Sequence, residues 1–316
     1  MSHSRVLALS TVLFLAGLAC NLPVGVTPAI GVPPGETPPV VSDTPNIEST
    51  VEPVPTVSPL TADMLRNGTY VLPESKETVT LVDGKYDRAE SMEDILHVTL
   101  MDPIAFGDIN GDEAEDAAFV LSENMGGTGF FMSVVVILNQ DGSPVQSASR
   151  YLDDRAQLNG IIIIGGRIAV DAVIHSFEDP LCCPNFPVVE TLRLQGGELV
   201  LRRFTSRTPG GDERAITITG PAEGAAASGS VQVVGSVTIS PFENTLTYRI
   251  YDLGGTELAV GSFLVAAEEM GGPGTFNATI SLAGIAAGTT VRLKILDLSA
   301  ADGSRLAMDS VELRVE

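Results

Sequence analysis

The chain has no tryptophan, only three cysteines and three histidines, and 18 basic side chains against 40 acidic ones. Each scarcity excludes something. A net charge of −22 leaves no cationic footprint for a nucleic-acid backbone. It also rules out attachment to anionic lipid by charge. With aromatics at 5%, a stacking platform for sugars or bases is poorly supplied. No apolar run reaches the ~20 residues that a membrane-spanning helix needs. There is no Gly-x-Ser-x-Gly elbow and no phosphate loop. Gly126-Gly127-Thr128-Gly129 is rich in glycine, but it precedes a strand pattern rather than a helix and reads as a hairpin tip. What the chain does have is 32 glycines, together with β-branched residues in short alternating runs. That mixture predicts many short strands with tight turns. The acidic surface suits solubility and cation binding.

The first residues read as an address. Met1 to Arg5 is short and polar, and an apolar run follows from Val6 to Ala19, interrupted by Ser10, Thr11 and Gly17. Its length fits a secretory signal core that ends in small residues. Leu15-Ala16-Gly17-Leu18-Ala19-Cys20 resembles the lipobox of bacterial lipoproteins. The resemblance implies that Cys20 becomes the lipidated first residue, with the rest held outside the cytoplasm at the cell membrane or envelope. Gly17 stands where the lipobox usually has Leu, so ordinary cleavage after Ala19 is the rival reading.

Beyond residues 1–19, the predicted organisation is a lipidated cysteine with a linker (20–60), a β-rich domain (61–207), a short linker (208–214) and a second β domain (215–316). The first linker holds half of the 20 prolines and no Lys or Arg. As polyproline II it would reach ~120 Å, a semi-rigid stalk. Plain disorder is the alternative, and neither reading allows a packed fold there.

In the middle region, strands are predicted at Gly68–Leu72, Ile95–Met101, Ala117–Leu121, Phe130–Leu138 and Arg167–Ile174. Asp83-Gly84 suggests a hairpin joining Thr78–Val82 to Lys85–Arg88, because Asp-Gly readily takes the positive φ angles of a type I′ turn. Gln140-Asp141-Gly142 supplies another turn. Four isoleucines, Ile161 to Ile164, suggest a strand buried on both faces. Gly196-Gly197 joins Val188–Leu194 to Glu198–Phe204. The one stretch with helical periodicity is Ala89–Leu96. The class is mainly β, and mostly antiparallel.

The last hundred residues alternate cleanly. Val231, Val233 and Val237, then Leu246, Tyr248 and Ile250, then Val291, Leu293 and Ile295, then Val311, Leu313 and Val315 each define one face. About seven half-buried strands in ~100 residues indicate an immunoglobulin-like sandwich, here without the Cys and Trp pair of antibody domains. Ile216-Thr217-Ile218-Thr219-Gly220-Pro221, Phe242-Glu243-Asn244, Tyr248-Arg249-Ile250-Tyr251-Asp252, Glu269-Met270-Gly271-Gly272 and Asp302-Gly303-Ser304 resemble the bacterial immunoglobulin-like domain associated with spore germination proteins. The resemblance implies an extracytoplasmic β-sandwich that serves in interaction at the cell envelope, and no catalysis.

Two constellations carry candidate chemistry. Phe106 to Asp116 places Asp108, Asn110, Asp112 and Asp116 at the first, third, fifth and ninth positions of a loop, with the Ala114 carbonyl at the seventh. Alternating oxygens in a tight loop can converge on calcium. The segment looks like the Asp-x-Asn-x-Asp-Gly-x-x-Asp loops of dockerins and integrin-type repeats. It departs from them at Glu113, where glycine is usual, and it lacks the bidentate glutamate of an EF-hand. The alternative is a solvated acidic turn. Five acids this close repel unless something neutralises them. The second constellation is Asp179-Pro180-Leu181-Cys182-Cys183-Pro184, which resembles an Asp-Pro-x-Cys-Cys-Pro element of uncharacterised actinobacterial lipoproteins. A vicinal disulfide between Cys182 and Cys183 is one reading and free thiols another. Zinc is disfavoured, since neither Cys-x-x-Cys spacing nor a nearby histidine completes a set. His97 and His175 sit in strand-like runs and read as packed or surface residues.

The functional expectation is a lipid-anchored, non-catalytic envelope protein. It would bind protein or polymer through its C-terminal domain, with calcium stabilising the acidic loop and no nucleic-acid partner. An envelope hydrolase using the acidic loop, and a solute-capture lipoprotein, are the rival classes.

Overall fold

The computed structural model describes residues 57–91 and 93–316. The signal segment, Cys20 and nearly all of the first linker lie outside the described residues. In chain order the elements are α1 (Ala62–Arg66), β1 (Thr69–Val71), β2 (Thr78–Thr80), β3 (Lys85–Ser91), β4 (Asp94–Gly107), β5 (Asp116–Asn124), β6 (Phe131–Gln140), β7 (Ser143–Asp154), β8 (Gln157–Ile164), β9 (Arg167–Ile174), β10 (Phe186–Gln195) and β11 (Glu198–Arg207). They continue as β12 (Glu213–Arg214), β13 (Ile216–Gly220), β14 (Ala225–Ala227), β15 (Ser230–Val237), a 3₁₀ turn at Phe242–Asn244, β16 (Thr245–Asp252), β17 (Glu257–Leu264), β18 (Ala266–Ala267), β19 (Gly274–Ser281), β20 (Thr290–Leu298) and β21 (Arg305–Val315). The architecture is mainly β, and every strand pair is antiparallel except β14 with β21.

The middle region has three layers. Strands β3 to β7 form a meander of five. One face of this sheet packs on β8 to β11 through Ala118, Val120, Val134, Val136, Val170 and Leu192. The other face packs on α1 and the β1–β2 ribbon through Phe119, Leu121, Val135, Leu65, Tyr70 and Leu81. The central strand β5 is therefore buried at every position, which is why Ala117–Leu121 reads as a continuous apolar run rather than an alternation. Tyr70 meets Phe119 edge-on, with ring centroids 5.5 Å apart.

Three expectations for this region need correction. Residues 89–96, expected as a possible helix, run through the β3–β4 hairpin, because both flanking strands find ladder partners. The four isoleucines form an edge strand: Ile161 is buried, but Ile162 and Ile164 are 53% and 70% exposed. The run is apolar on both faces, yet only one face is covered. Asp83 and Gly84 do adopt positive φ, but β2 pairs with β1 and β3 with β4, so the expected hairpin shrinks to one bridge between Val82 and Lys85. Leu60, at the end of the first linker, is buried against α1 and β1.

The C-terminal region is the expected sandwich. Strands β13, β15, β19 and β18 form one sheet. It packs on β17, β16, β20 and β21 through Val231, Val233, Leu246, Ile250, Leu293 and Val311, the residues that alternate in the sequence. Gly235 lies on β15 opposite Ile218 of β13. A β-carbon there would run into the Thr217 carbonyl and the Phe276 ring.

The two regions share a sheet. β11 pairs with β21 at Arg203–Asp309 and Phe204–Met308, so strands β17, β16, β20, β21, β11, β10, β9 and β8 lie side by side. Residues 208–214 make the connection as a tight hairpin: the Thr208 N–H donates to the Asp212 carbonyl, and β12 pairs back onto β11. Leu296 and Met308, from the sandwich, are buried in the same core as Phe204 and Leu192.

Candidate functional site

The acidic loop links β4 to β5, and its geometry is set by its own backbone. Asp108 accepts from the Gly111 N–H (2.6 Å) and the Glu113 N–H (3.1 Å). Asn110 Oδ1 accepts from the Asp112 N–H, and Asp112 accepts from the Ala114 N–H and from the Asn110 amide. Asp116 is fully buried and accepts from the Ile109 N–H (2.9 Å) and the Asn139 N–H (2.8 Å). It thereby ties the loop to the end of β6. Every side-chain oxygen of these four residues already holds a hydrogen bond. Those donors offset part of the loop's negative charge. Burial still pushes the Asp116 carboxyl above its ordinary range, with the Asn139 and Ile109 amides opposing it. Glu113 takes φ of +69° at the position where related loops use glycine. Among the described residues, no three His, Cys, Asp or Glu side chains are grouped to hold one metal ion. Calcium could reach this loop only through the remaining lone pairs of Asp108, Asn110 and Asp112 and the Ala114 carbonyl.

Cys182 and Cys183 are joined by a disulfide in the loop between β9 and β10. The loop is pinned at its base. Asp179 accepts from the Ser176 N–H (2.9 Å) and the Asn185 N–H (2.8 Å), and the first of these contributes most to holding its carboxyl below the usual range. Arg155 donates to the Leu181 carbonyl and to the Thr128 carbonyl, bracing the loop against the β5–β6 tip. The crown carries two apolar side chains in water: Phe177 and Leu181 are 79% and 80% exposed. His175 opens the loop. Its backbone N–H and its Nδ1 both reach Asp153 Oδ2, at 2.5 and 2.8 Å. His97, on β4, pairs with Asp87 at the surface.

In the last strands Arg292, Lys294 and Glu312 alternate with the core residues, a pattern that turns them away from the sandwich core. They do face away, but onto the middle region. Arg202 of β11 is 2% exposed and donates to Glu312 and Glu223, at 2.6 Å each. Arg292 of β20, also buried, donates to Glu312 (2.9 Å) and to Gln195 of β10 (2.5 Å). Burial works to raise the Glu312 carboxyl, but the Arg292 and Arg202 guanidiniums outweigh it and hold it low. Arg214 donates to the buried Asp297 at 2.6 Å, and the Ser310 hydroxyl donates to the Arg202 carbonyl at 2.7 Å. Lys294, over the Tyr251 ring at 4.7 Å, is lowered to about 8 by burial and by the arginines around it. The signal in the sequence was the insertion of Arg292, Lys294 and Glu312 into otherwise apolar terminal strands, a pattern that solvent exposure also explains.

Beside this junction the β9–β10 loop and the β20–β21 turn enclose a cleft of about 440 Å³. Phe177, Phe186 and Phe204 line it, together with His175, Glu190 and Arg305.

Seven main strands in two facing sheets make the C-terminal region an immunoglobulin-like β-sandwich. Residues 215–304 match the family described as the immunoglobulin-like domain of bacterial spore germination. The match ends just before β21, the strand that joins the middle region. No curated protein matches the chain.

Proposed function

We propose that this protein is a non-catalytic binding or scaffolding component of the bacterial cell envelope, anchored by a lipid on Cys20. Its immunoglobulin-like domain would present the contact surface. The supporting observation is how that domain is used. Part of one sheet is occupied by the middle region, while β17, at the far end of the shared sheet, pairs only with β16. Val260 and Leu264 on β17 are 55% and 71% exposed. A free edge with apolar side chains suits strand addition by a partner chain. No helix among the described residues is long and apolar enough to cross a membrane.

The test has two arms. Cys20→Ala should release the protein from the membrane fraction, and intact mass of the natural protein should show diacylglycerol on Cys20. In pull-downs from native envelope, Val260→Lys and Leu264→Lys should lose a partner that the unaltered protein retains. Retention of every partner by both variants would defeat the edge reading. A cytosolic protein with residues 1–19 still attached would defeat the envelope reading.

A further inference from the structure

The cleft between the β9–β10 loop and the β20–β21 turn lies apart from the β17 edge and from the acidic loop. We propose that it is a binding site for a primary ammonium group on an apolar chain, and that it deepens the binding role above by supplying a ligand-specific pocket. Its volume of about 440 Å³ falls in the range of small-molecule sites, which concentrate where domains meet. The walls come from both regions: Phe177, Phe186 and Phe204 from the middle, and Arg305 from the sandwich.

Two buried polar atoms left over at this cleft, on His175 and Glu190, are acceptors. His175 Nδ1 must carry a proton, because its partner Asp153 Oδ2 is a carboxylate oxygen and only accepts. In the neutral ring Nε2 is then an acceptor, and that atom is buried with no hydrogen-bond partner. Glu190 is almost wholly buried, and its Oε2 also lacks a hydrogen bond. The nearest cation to Oε2 is Arg150 Nε, in an ion pair at 3.5 Å that does not meet hydrogen-bond geometry. Two buried acceptors without donors are costly unless a ligand supplies them. Burial raises the Glu190 carboxyl, while Arg150 and Arg305 oppose that shift.

The remaining contacts fit the same ligand. Arg305 already covers the Phe204 ring, at 5.0 Å, so that aromatic face is taken. Phe177 and Phe186 are left to receive an alkyl chain, and Phe177 is otherwise a large apolar side chain left in water. A carboxylate ligand would instead face Glu190. The overall charge of −22 favours cations at the entrance. The ammonium could belong to a free amine or to a lysine side chain of a peptide, and the chemistry recognised is the same.

The test uses the mature chain. Hexylammonium, hexanoate and a short peptide carrying one central lysine are titrated by calorimetry and by amide chemical shifts. Saturable one-site binding of hexylammonium, with none by hexanoate, is expected. Tighter binding of the peptide would assign the source as protein, and tighter binding of the free amine a small molecule. Glu190→Gln should weaken binding at least tenfold. Phe177→Ala, at an exposed position, should weaken binding severalfold with an unchanged fold. The proposal is overturned if neither amine saturates, if hexanoate binds as well, or if Phe177→Ala leaves affinity unaltered. Envelope pull-downs that still depend on the β17 edge would then show that this inference alone has failed.

Discussion

The two β regions hide their strands in different ways. In the sandwich each strand buries one face, so apolar and polar residues alternate and the periodicity of two is visible by eye. In the middle region the five-stranded sheet is covered on both sides, so β5 and β6 lose the alternation and read as plain apolar runs. The junction is a third case. There the outer face of β20 and β21 is covered by another part of the same chain, and it buries charge beside the apolar Leu296 and Met308. Burial therefore does not follow from apolarity alone: Ile164 is exposed and Arg202 is not.

The largest effect should come from breaking that buried charge. Arg202→Ala leaves Glu312 and Glu223 each without one guanidinium, and should destabilise the protein by about 3–5 kcal/mol in chemical denaturation. Replacing both Arg202 and Glu312 with neutral residues of similar volume should cost less than the single change. A double-mutant cycle would show this as a coupling of opposite sign to the Arg202→Ala loss.

Within the middle region, Asp116→Ala should cost about 1–3 kcal/mol, because the Ile109 and Asn139 amides lose their acceptor. Adding calcium to the unaltered protein tests whether the loop gains anything beyond its own donors. A rise in melting temperature that Asp108→Ala and Asp112→Ala abolish would assign the cation to this loop.

The pH dependence separates the junction from its surroundings. Asp297 and Asp309 are held above the usual carboxylate range by burial, against Arg214 and the Ile218 amide respectively. Such groups bind their proton more tightly folded than unfolded. Their contribution is full below the unfolded value, near 4, and is lost as pH rises through the folded one. Glu312 is held low, so its contribution is present above about 4.3 and is lost on acidification. Glu312→Gln should therefore remove part of the acid-side loss in melting temperature, and Asp297→Asn part of the fall toward neutral pH.

The smallest effect should come from reducing Cys182–Cys183. A bond between neighbours closes the shortest loop possible and constrains the unfolded chain least, so the change should be about 1 kcal/mol or less. Intact mass with and without reductant confirms that the bond was present.

These contrasts also explain what could be read in advance. The sandwich and its core residues were legible because Val231, Val233, Leu293 and Val311 obey one period. The turns at Asp83-Gly84, Asp141-Gly142 and Gly196-Gly197 were legible because positive φ restricts residue choice. The edge position of the isoleucine strand was not, because pairing order is a long-range property. The short helix α1 was missed, since its five residues are too few to show a period; its cap, Thr61 accepting from the Met64 N–H, was the available sign. In the acidic loop the spacing of Asp108, Asn110 and Asp112 was visible, but not that their oxygens would turn onto backbone donors. The cleft joins His175, Glu190 and Arg305, residues far apart in the chain, and no local pattern announces it.

The central claim is that the shared sheet and the Arg202–Glu312–Arg292 cluster make the two β regions one cooperative body. Scanning calorimetry of the mature chain tests it directly. A single transition with equal calorimetric and van't Hoff enthalpies is predicted, displaced as a whole by Arg202→Ala. Two separable transitions, with Arg202→Ala moving only one of them, would contradict it.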